Sequence, residues 1–295
     1  MIASAVEFQA MTALVSRMLL NGTTASPEEC QALKIDYDAV SSLYNQASVR
    51  HMKREAKRGV DAMLLSDLGH LTLRDYHEAY SVATVDLPML AKKYKVGGYK
   101  LARLYLEVKF GRTTTLAHFL DNPSIIEDRV TREDLLACMA SDPFCSHPCE
   151  QLKECVGKEF EEYLICRLHE KRMCFETEAE LRCKGKPKTP DILFLIPMAT
   201  PDCNEPSRGL AVVNWIDSKA MFADEETLAE HLEQLRGYAN RYGRGLVIYW
   251  HGYVADIKSS HVFQAADDMI LLSNKFPEQW MGLDGKSPTD ALFPL

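Results

Sequence analysis

The sequence lacks any run of 18 apolar residues, which argues against a segment that spans a membrane. It also lacks a basic leader: its first 20 residues are largely apolar but include Glu7 and Gln9, so an amphipathic helix is predicted rather than a signal peptide. The nine cysteines are an odd number and form no dense framework of the kind found in small secreted domains. A reducing compartment, nucleus or cytoplasm, is therefore predicted, and no internal repeat or low-complexity segment is present.

Basic residues are fewer than acidic ones: the chain has 34 Lys and Arg and 42 Asp and Glu, which gives a net charge of −8. The charge is unevenly distributed along the chain. Residues 50–112 hold 13 basic and 7 acidic residues, a net of +6, whereas the remainder holds 21 basic and 35 acidic residues, a net of −14. The basic window predicts a local surface for a polyanion, although charged helix faces also occur in proteins that bind none.

Hydrophobic spacing divides the chain into two parts. From residue 1 to about 145, apolar residues recur at three and four, which predicts a helical region. The later part predicts, in order, a helix at about 157–172, a strand at 191–197, a polar loop at 198–209, a strand at 210–220, a helix at about 225–241 and a strand at 246–254. The predicted fold class is therefore α+β, with an all-helical domain at 1–145 and an α/β domain at 146–295.

Two stretches of the helical part, around 27–58 and 87–110, have a helix-turn-helix-like pattern. In the second stretch, Val96-Gly97-Gly98 forms the turn between two helices with apolar faces. Basic side chains in these stretches are predicted to contact DNA phosphates: Arg50, Lys53, Arg54, Lys57, Lys100 and Arg103. A helical hairpin that only packs is the alternative.

The tripeptide [DE]-x-K occurs four times, starting at Glu107, Asp217, Asp256 and Asp284, so it decides nothing by itself. Asp217 differs in context because it ends a predicted strand, where alternation places Asp217 and Lys219 on one face. Asp191 follows Pro190 at the start of the preceding strand. Pairing of these two strands is expected to bring Asp191 and Asp217 together.

A third acid is expected from the helix before these strands. Glu161 shares a helical face with Leu164 and Leu168, where a carboxylate is costly unless it has a partner. Three carboxylates and a lysine at a sheet edge predict a Mg²⁺ or Mn²⁺ site. The predicted metal ligands are Glu161, Asp191, Asp217 and Ser218. Ion pairs that merely cap the core are the structural alternative.

This site would hydrolyse a nucleic-acid backbone. The metal would lower the pKa of a bound water, and Lys219 would orient or deprotonate that water. Gln234 and Tyr238 lie four apart on the next helix, so Gln234 is predicted to reach the water or metal and Tyr238 to pack or contact phosphate. The predicted catalytic residues are Glu161, Asp191, Asp217, Lys219 and Gln234.

Glu161, Pro190-Asp191, Asp217-Ser218-Lys219 and Gln234-x-x-x-Tyr238 together resemble the PD-(D/E)XK nuclease superfamily, which includes archaeal Holliday-junction resolvases and RecB-type nucleases. The stretches KTPDILFLIP, NWIDSKAMFADE, NRYGRGLVIYWHGYV and ILLSNKFP are similar to the codanin-interacting nuclease family of animals. The resemblance implies a restriction-endonuclease-like core in the α/β domain.

The same resemblance implies a metal-dependent nuclease that acts on structured or branched DNA, in the nucleus and cytoplasm, with a codanin-like protein as partner. Related resolvases work as dimers, so a homodimer is expected by analogy. One alternative is a catalytically weak or inactive adaptor that keeps the fold and holds nucleic acid and the partner. Another is a sequence-specific regulator, which would leave residues 157–255 unexplained.

Overall fold

The computed structural model describes residues 1–21, 24–57, 87, 90–91, 97–111, 115–140, 147–264 and 269–288. The chain is a mixed α+β protein whose contacts separate it into two units. One unit combines Met1–Tyr44 with Cys155–Leu295, and the other is Asn45–Glu154. The sequence predicted a division near residue 145, whereas the structure groups the first 44 residues with the C-terminal part of the chain.

The helices among the described residues are α1 (Ala5–Asn21), α2 (Pro27–Ala32), α3 (Tyr37–Lys57), α4 (Gly98–Phe110), α5 (Thr115–Asp121), α6 (Arg129–Ala140), α7 (His147–Glu170), α8 (Glu178–Cys183), α9 (Glu225–Tyr242) and α10 (His261–Gln264). Short 3₁₀ turns occupy Pro123–Ile125, Pro206–Arg208 and Ala255–Ser259. Within these residues, no helix is both long enough and apolar enough to cross a membrane.

The helix starts follow local capping chemistry. Ser26 accepts a hydrogen bond from the Glu29 N–H and precedes Pro27 at the first turn of α2. In the same way, Asp224 accepts from the Thr227 N–H at the start of α9. The predicted helix starts near residues 27 and 225 are confirmed because these caps satisfy N–H groups that have no partner within the helix.

The strands are β1 (Ile2–Ala3), β2 (Phe175–Thr177), β3 (Ile192–Pro201), β4 (Leu210–Lys219), β5 (Phe222–Ala223), β6 (Gly245–Tyr249), β7 (Gly252–Val254) and β8 (Ile270–Ser273). Five of them form a mixed sheet in the order β2-β3-β4-β6-β8. The pairs β2–β3 and β3–β4 are antiparallel, while β4–β6 and β6–β8 are parallel. A small parallel sheet has the order β1-β7-β5.

Apolar side chains of the five-stranded sheet pack with one face of α7. Leu164 and Leu168 of the helix are fully buried with Ile216 and Ile248 of the sheet. This core fixes the α7 face that also carries Glu161, as the helical spacing predicted. The unit Asn45–Glu154 has its own core, in which Leu101 and Leu135 are fully buried.

Two predicted boundaries are wrong. The segment 246–254 is not one strand, because β6 ends at Tyr249 and the chain turns at Trp250 before β7 joins the other sheet. Gly252 permits this change of direction, with φ +101, a region that other residues rarely adopt. The predicted loop 198–209 also begins too early, since β3 continues through Pro201 after an irregular register between Leu193 and Met198.

Candidate active site at the edge of β3 and β4

The pairing of β3 with β4 brings Asp191 next to the Asp217-Ser218-Lys219 segment. Ile192 lies opposite Ile216 in the antiparallel register, so the positions that precede and follow them are also neighbours. The Ser218 N–H donates a hydrogen bond of 2.6 Å to Asp191 Oδ2. The predicted strand pairing is therefore observed, and it anchors the Asp191 carboxylate beside Asp217.

Asp217 and Lys219 form an ion pair on one face of β4. Lys219 Nζ lies 2.7 Å from Asp217 Oδ2, as the two-residue alternation predicted. Asp217 is 1% exposed, and Lys219 is partly buried. Asp217 Oδ2 is therefore a buried carboxylate oxygen that lies against an ammonium group. Such an oxygen is suited to a cation.

The lysines of two other [DE]-x-K tripeptides have different partners. Lys109 donates a hydrogen bond to Asp128, and Lys258 donates one to the Cys203 carbonyl oxygen. Neighbouring strands thus give Asp217 and Lys219 a setting that the tripeptide does not provide by itself.

The carboxyl groups of the site hold their protons more tightly than usual. Burial raises the pKa of Asp191 to about 8, and the nearby charge of Asp217 adds to this effect. Burial also raises the pKa of Asp217, while Lys219 opposes that shift. For Lys219, burial works against the charged form, but Asp217, Asp191 and Glu161 raise its pKa on balance. The site is therefore rich in carboxylates that a further positive charge would stabilise.

Glu161 lies within electrostatic range of these groups. Burial, Glu178 and Asp217 raise the pKa of Glu161, in that order of importance. Within the residues that the structure describes, however, no group of three or more His, Cys, Asp or Glu side chains is placed to hold a metal ion. The structure thus joins Asp191, Asp217 and Lys219 closely, and it does not gather Glu161 with both aspartates at ligand distances.

The sequence analysis missed Glu178, the first residue of α8. Its charge raises the pKa of Glu161, and its N–H donates to the Asp191 carbonyl oxygen at 3.0 Å. Its carboxylate accepts from the Thr189 hydroxyl at 3.2 Å and pairs with Arg182 at 2.6 Å. The available signal was the capping box of Thr177 and Glu180, which marks a helix start at residue 178.

Gln234 and Tyr238 interact with each other on α9. Gln234 Nε2 donates to the Tyr238 hydroxyl at 2.6 Å, and Gln234 is exposed whereas Tyr238 is 4% exposed. The Tyr238 ring meets Trp215 edge to face at 5.4 Å between centroids. Burial and the charge of Asp217 raise the pKa of Tyr238. A ring buried this deeply does not present itself to a nucleic acid, so the structure favours the packing role over the phosphate contact.

The predicted DNA-contacting basic residues lie in the unit Asn45–Glu154, on α3 and α4. Lys53, Arg54 and Arg103 are exposed, and Arg50 and Lys100 are partly exposed. The side chain of Lys57 and most of the predicted first helix at 87–96 lie outside the described residues. In the stretch 87–110, the predicted second helix is observed as α4. The helix-turn-helix as a whole stays a prediction there.

A sequence model of the family described as "Protein of unknown function TPD sequence-motif" matches residues 127–275. Among known relatives, a Xenopus laevis protein is 35% identical over 164 residues, which cover 55% of this chain and 50% of the relative. A Danio rerio protein is 31% identical over 245 residues, covering 80% and 76% of the two chains. A Homo sapiens protein is 35% identical over 159 residues, covering 54% and 52%.

All three relatives are named CDAN1-interacting nuclease 1. The chain spans about half the length of the frog and human relatives in these alignments. No solved structure matches the chain.

The fold and the site define a mixed α+β protein with a Thr-Pro-Asp sequence before one strand and Asp-Ser-Lys at the end of its neighbour. The family model covers about half of the chain, and the fish relative, at 31% identity, covers 80% of it. The chain belongs to the CDAN1-interacting nuclease 1 family.

Proposed function

We propose that this chain is a divalent-metal-dependent nuclease that hydrolyses phosphodiester bonds in DNA, including structured or branched DNA. The observation that supports it most is the meeting of Asp191 with Asp217 and Lys219 at the paired ends of β3 and β4. The names of the relatives support the same reaction.

A PD-(D/E)XK core is part of the proposal. Along the chain, α7 is followed by three antiparallel neighbours, β2, β3 and β4, and then by α9 and the parallel strand β6. This arrangement supports the superfamily, because it puts the Pro190-Asp191 and Asp217-x-Lys219 motifs on adjacent strands at one edge.

Asp191 and Asp217 would hold Mg²⁺ or Mn²⁺. Mg²⁺ commonly takes one or two protein carboxylates and completes its shell with water and phosphate oxygens, so two aspartates suffice even without a third acid at ligand distance. The buried Asp217 Oδ2 and the raised pKa values of both aspartates fit a cation site, because a bound cation would stabilise the charged form of each carboxyl group. When bound, the ion would supply a water of lowered pKa and screen the phosphate charge.

The remaining roles follow from the position of each side chain. Lys219 would orient the attacking water and stabilise charge on the phosphate, because its ammonium group already lies at the aspartates. Ser218 would hold Asp191 in place through its N–H and remains a proposed metal ligand. Glu161 and the exposed Gln234 would contact waters of the site.

Further parts of the proposal rest on the family. The names of the relatives support a codanin-like protein as partner. Exposed Lys53, Arg54 and Arg103 support DNA binding by the helical unit. The nuclear and cytoplasmic location and the homodimer are proposals by resemblance.

Cleavage of duplex, flapped and branched DNA in magnesium tests the function. Asp217→Ala and Lys219→Ala should each abolish most cleavage, while Asp256→Ala, from an Asp-x-Lys tripeptide elsewhere, should cut like the original protein. Equal cleavage by the original protein and all three variants would contradict the assignment of Asp217 and Lys219 to the active site.

An adaptor that binds nucleic acid and a partner without cleaving is the competing proposal, favoured by the lack of a three-acid group among the described residues. Calorimetry with Mg²⁺ or Mn²⁺ separates the two. The nuclease should show metal binding that is lost in Asp191→Asn, whereas an adaptor should show no heat that depends on Asp191.

A further inference from the structure

Aromatic side chains lie directly beside the candidate active site. Trp250 donates its indole N–H to Ser218 Oγ at 2.8 Å, and its backbone N–H donates to the Lys219 carbonyl oxygen at 3.0 Å. Both contacts fall on the Asp217-Ser218-Lys219 segment. The position of the Trp250 ring is therefore tied to the residues proposed to act on the phosphodiester.

Two further rings extend from Trp250 along α7. Phe160 stacks on Trp250 at 5.2 Å with 19° between the planes, and Tyr163 meets Trp250 edge to face at 5.5 Å. Phe160 and Tyr163 are three residues apart, so they share one face of the helix. Phe160, Tyr163 and Trp250 are called the aromatic platform below.

The aromatic platform is accessible from solvent. The Tyr163 side chain is 49% exposed, and Phe160 and Trp250 are partly exposed. The other two tryptophans of the chain are buried, since Trp215 and Trp280 are 0% and 4% exposed. A half-exposed tyrosine adjoining a polar site presents apolar area that a flat ligand could cover.

We propose that the aromatic platform stacks an unpaired nucleobase next to the phosphodiester at the active site, so that the preferred substrate is a single-stranded, flapped or frayed strand. This inference rests on the proposed function. A base inside a duplex already has neighbours on both faces, whereas an unpaired base can place one face on a protein ring. Stacking accepts any base, so the platform would select strand structure without selecting sequence.

Tryptophan fluorescence tests the contact without requiring cleavage. Because Trp250 is the partly exposed member of the three tryptophans, a stacked base should quench its emission. Titration with a short thymidine oligonucleotide in magnesium should quench the original protein, and an abasic strand of equal length should not. The length of each strand is checked by electrophoresis after the titration.

Two variants locate the effect. Tyr163→Ala should weaken binding of the thymidine strand roughly tenfold and leave binding of the abasic strand unchanged. Trp250→Phe keeps a ring and should lose the quenching while retaining most of the affinity measured by fluorescence anisotropy. Tyr37→Ala is the matched control, because Tyr37 is 41% exposed at the start of α3 and should bind both strands like the original protein.

Equal binding and equal quenching by the thymidine and abasic strands would overturn the platform, even in a protein that cleaves DNA. Unchanged thymidine affinity in Tyr163→Ala would also overturn it. Conversely, base-dependent quenching by a protein that never cleaves DNA would support the platform and defeat the proposed nuclease.

Discussion

The tripeptide Thr-Pro-Asp occurs at both ends of β3, and the structure uses its two copies differently. Thr189-Pro190-Asp191 precedes the strand and points its carboxylate at the Asp217 segment. Thr200-Pro201-Asp202 ends it, where Asp202 is 4% exposed and accepts two N–H groups, from Asn204 at 2.8 Å and from Glu205 at 2.9 Å.

The difference lies in what surrounds each carboxylate. Asp202 is matched by N–H donors of its own turn, so it stabilises the chain reversal between β3 and β4. Asp191 accepts a hydrogen bond from the Ser218 N–H, but it also lies beside Asp217. The negative charge of Asp217 adds to burial in raising the pKa of Asp191. The Asp202 copy therefore contributes stability, while the Asp191 copy holds a carboxyl group whose charged form a cation would stabilise.

The largest expected effect is the opposite behaviour of substitutions in the two copies. Asp191→Asn should lower cleavage on the order of a thousandfold, because it removes an anionic ligand and keeps the shape. Asp202→Ala should cleave normally but lower the free energy of unfolding by roughly 1 kcal/mol, because two part-buried hydrogen bonds to N–H groups are lost. Cleavage rates and urea denaturation give the two values.

Asp191→Asn should also raise stability in alkaline solution. The pKa of Asp191 is raised in the folded protein, so between an unfolded value of about 4 and a folded value of about 8 the native state keeps a proton that the unfolded chain releases. Stability from this group is lost as pH rises through that window, and asparagine has no such loss. Normal cleavage by Asp191→Asn would contradict the proposed difference in role between the two Thr-Pro-Asp copies. Loss of cleavage by a folded Asp202→Ala protein would contradict it as well.

A second expected effect concerns the cation at the first copy. Lys219→Met would leave Asp217, at 1% exposure, without its ion-pair partner, and should lower the free energy of unfolding by roughly 3 kcal/mol at neutral pH. The loss should shrink in acid as Asp217 becomes protonated. Denaturation midpoints at several pH values measure it.

Lys286→Met is the control for that measurement, since Lys286 is exposed and its change should stay within about 0.5 kcal/mol. Equal stability of the two variants would mean that the Asp217 carboxyl group does not depend on Lys219.

The smallest expected effect is the pH dependence of metal binding. Asp191 must lose its proton to bind a cation, so apparent affinity for Mg²⁺ should rise about tenfold per pH unit up to about pH 8 and then level off. Calorimetry in buffers of different ionisation enthalpy would also detect the released proton. Asp202→Ala should keep this dependence, and a flat profile in the original protein would contradict the role of Asp191.

Much of the site could be predicted from the sequence because it depends on short-range periodicity. Alternation along β4 put Asp217 and Lys219 on one face, and helical spacing put Glu161 with Leu164. Pairing of the strands after Pro190 and before Lys219 followed from their closeness along the chain. Each of these relations involves residues of one element or of consecutive strands.

Other relations were missed because distant segments create them. Trp250 was predicted to lie within a strand, whereas it lies in a turn. Its indole N–H and its backbone N–H both donate hydrogen bonds to the Asp217-Ser218-Lys219 segment. Glu178 belongs to a helix too short to leave an apolar period. The grouping of residues 1–44 with the C-terminal part includes the pairing of β1 with β7, separated by about 250 positions.

The amino-acid order by itself determined which side chains of β4 and α7 share a face, because that follows from the repeat of the backbone. Only the tertiary structure decided which of two identical tripeptides carries a carboxyl group of raised pKa, and which tyrosines are exposed. Burial and neighbouring charge set those properties, and both depend on segments far apart in the chain.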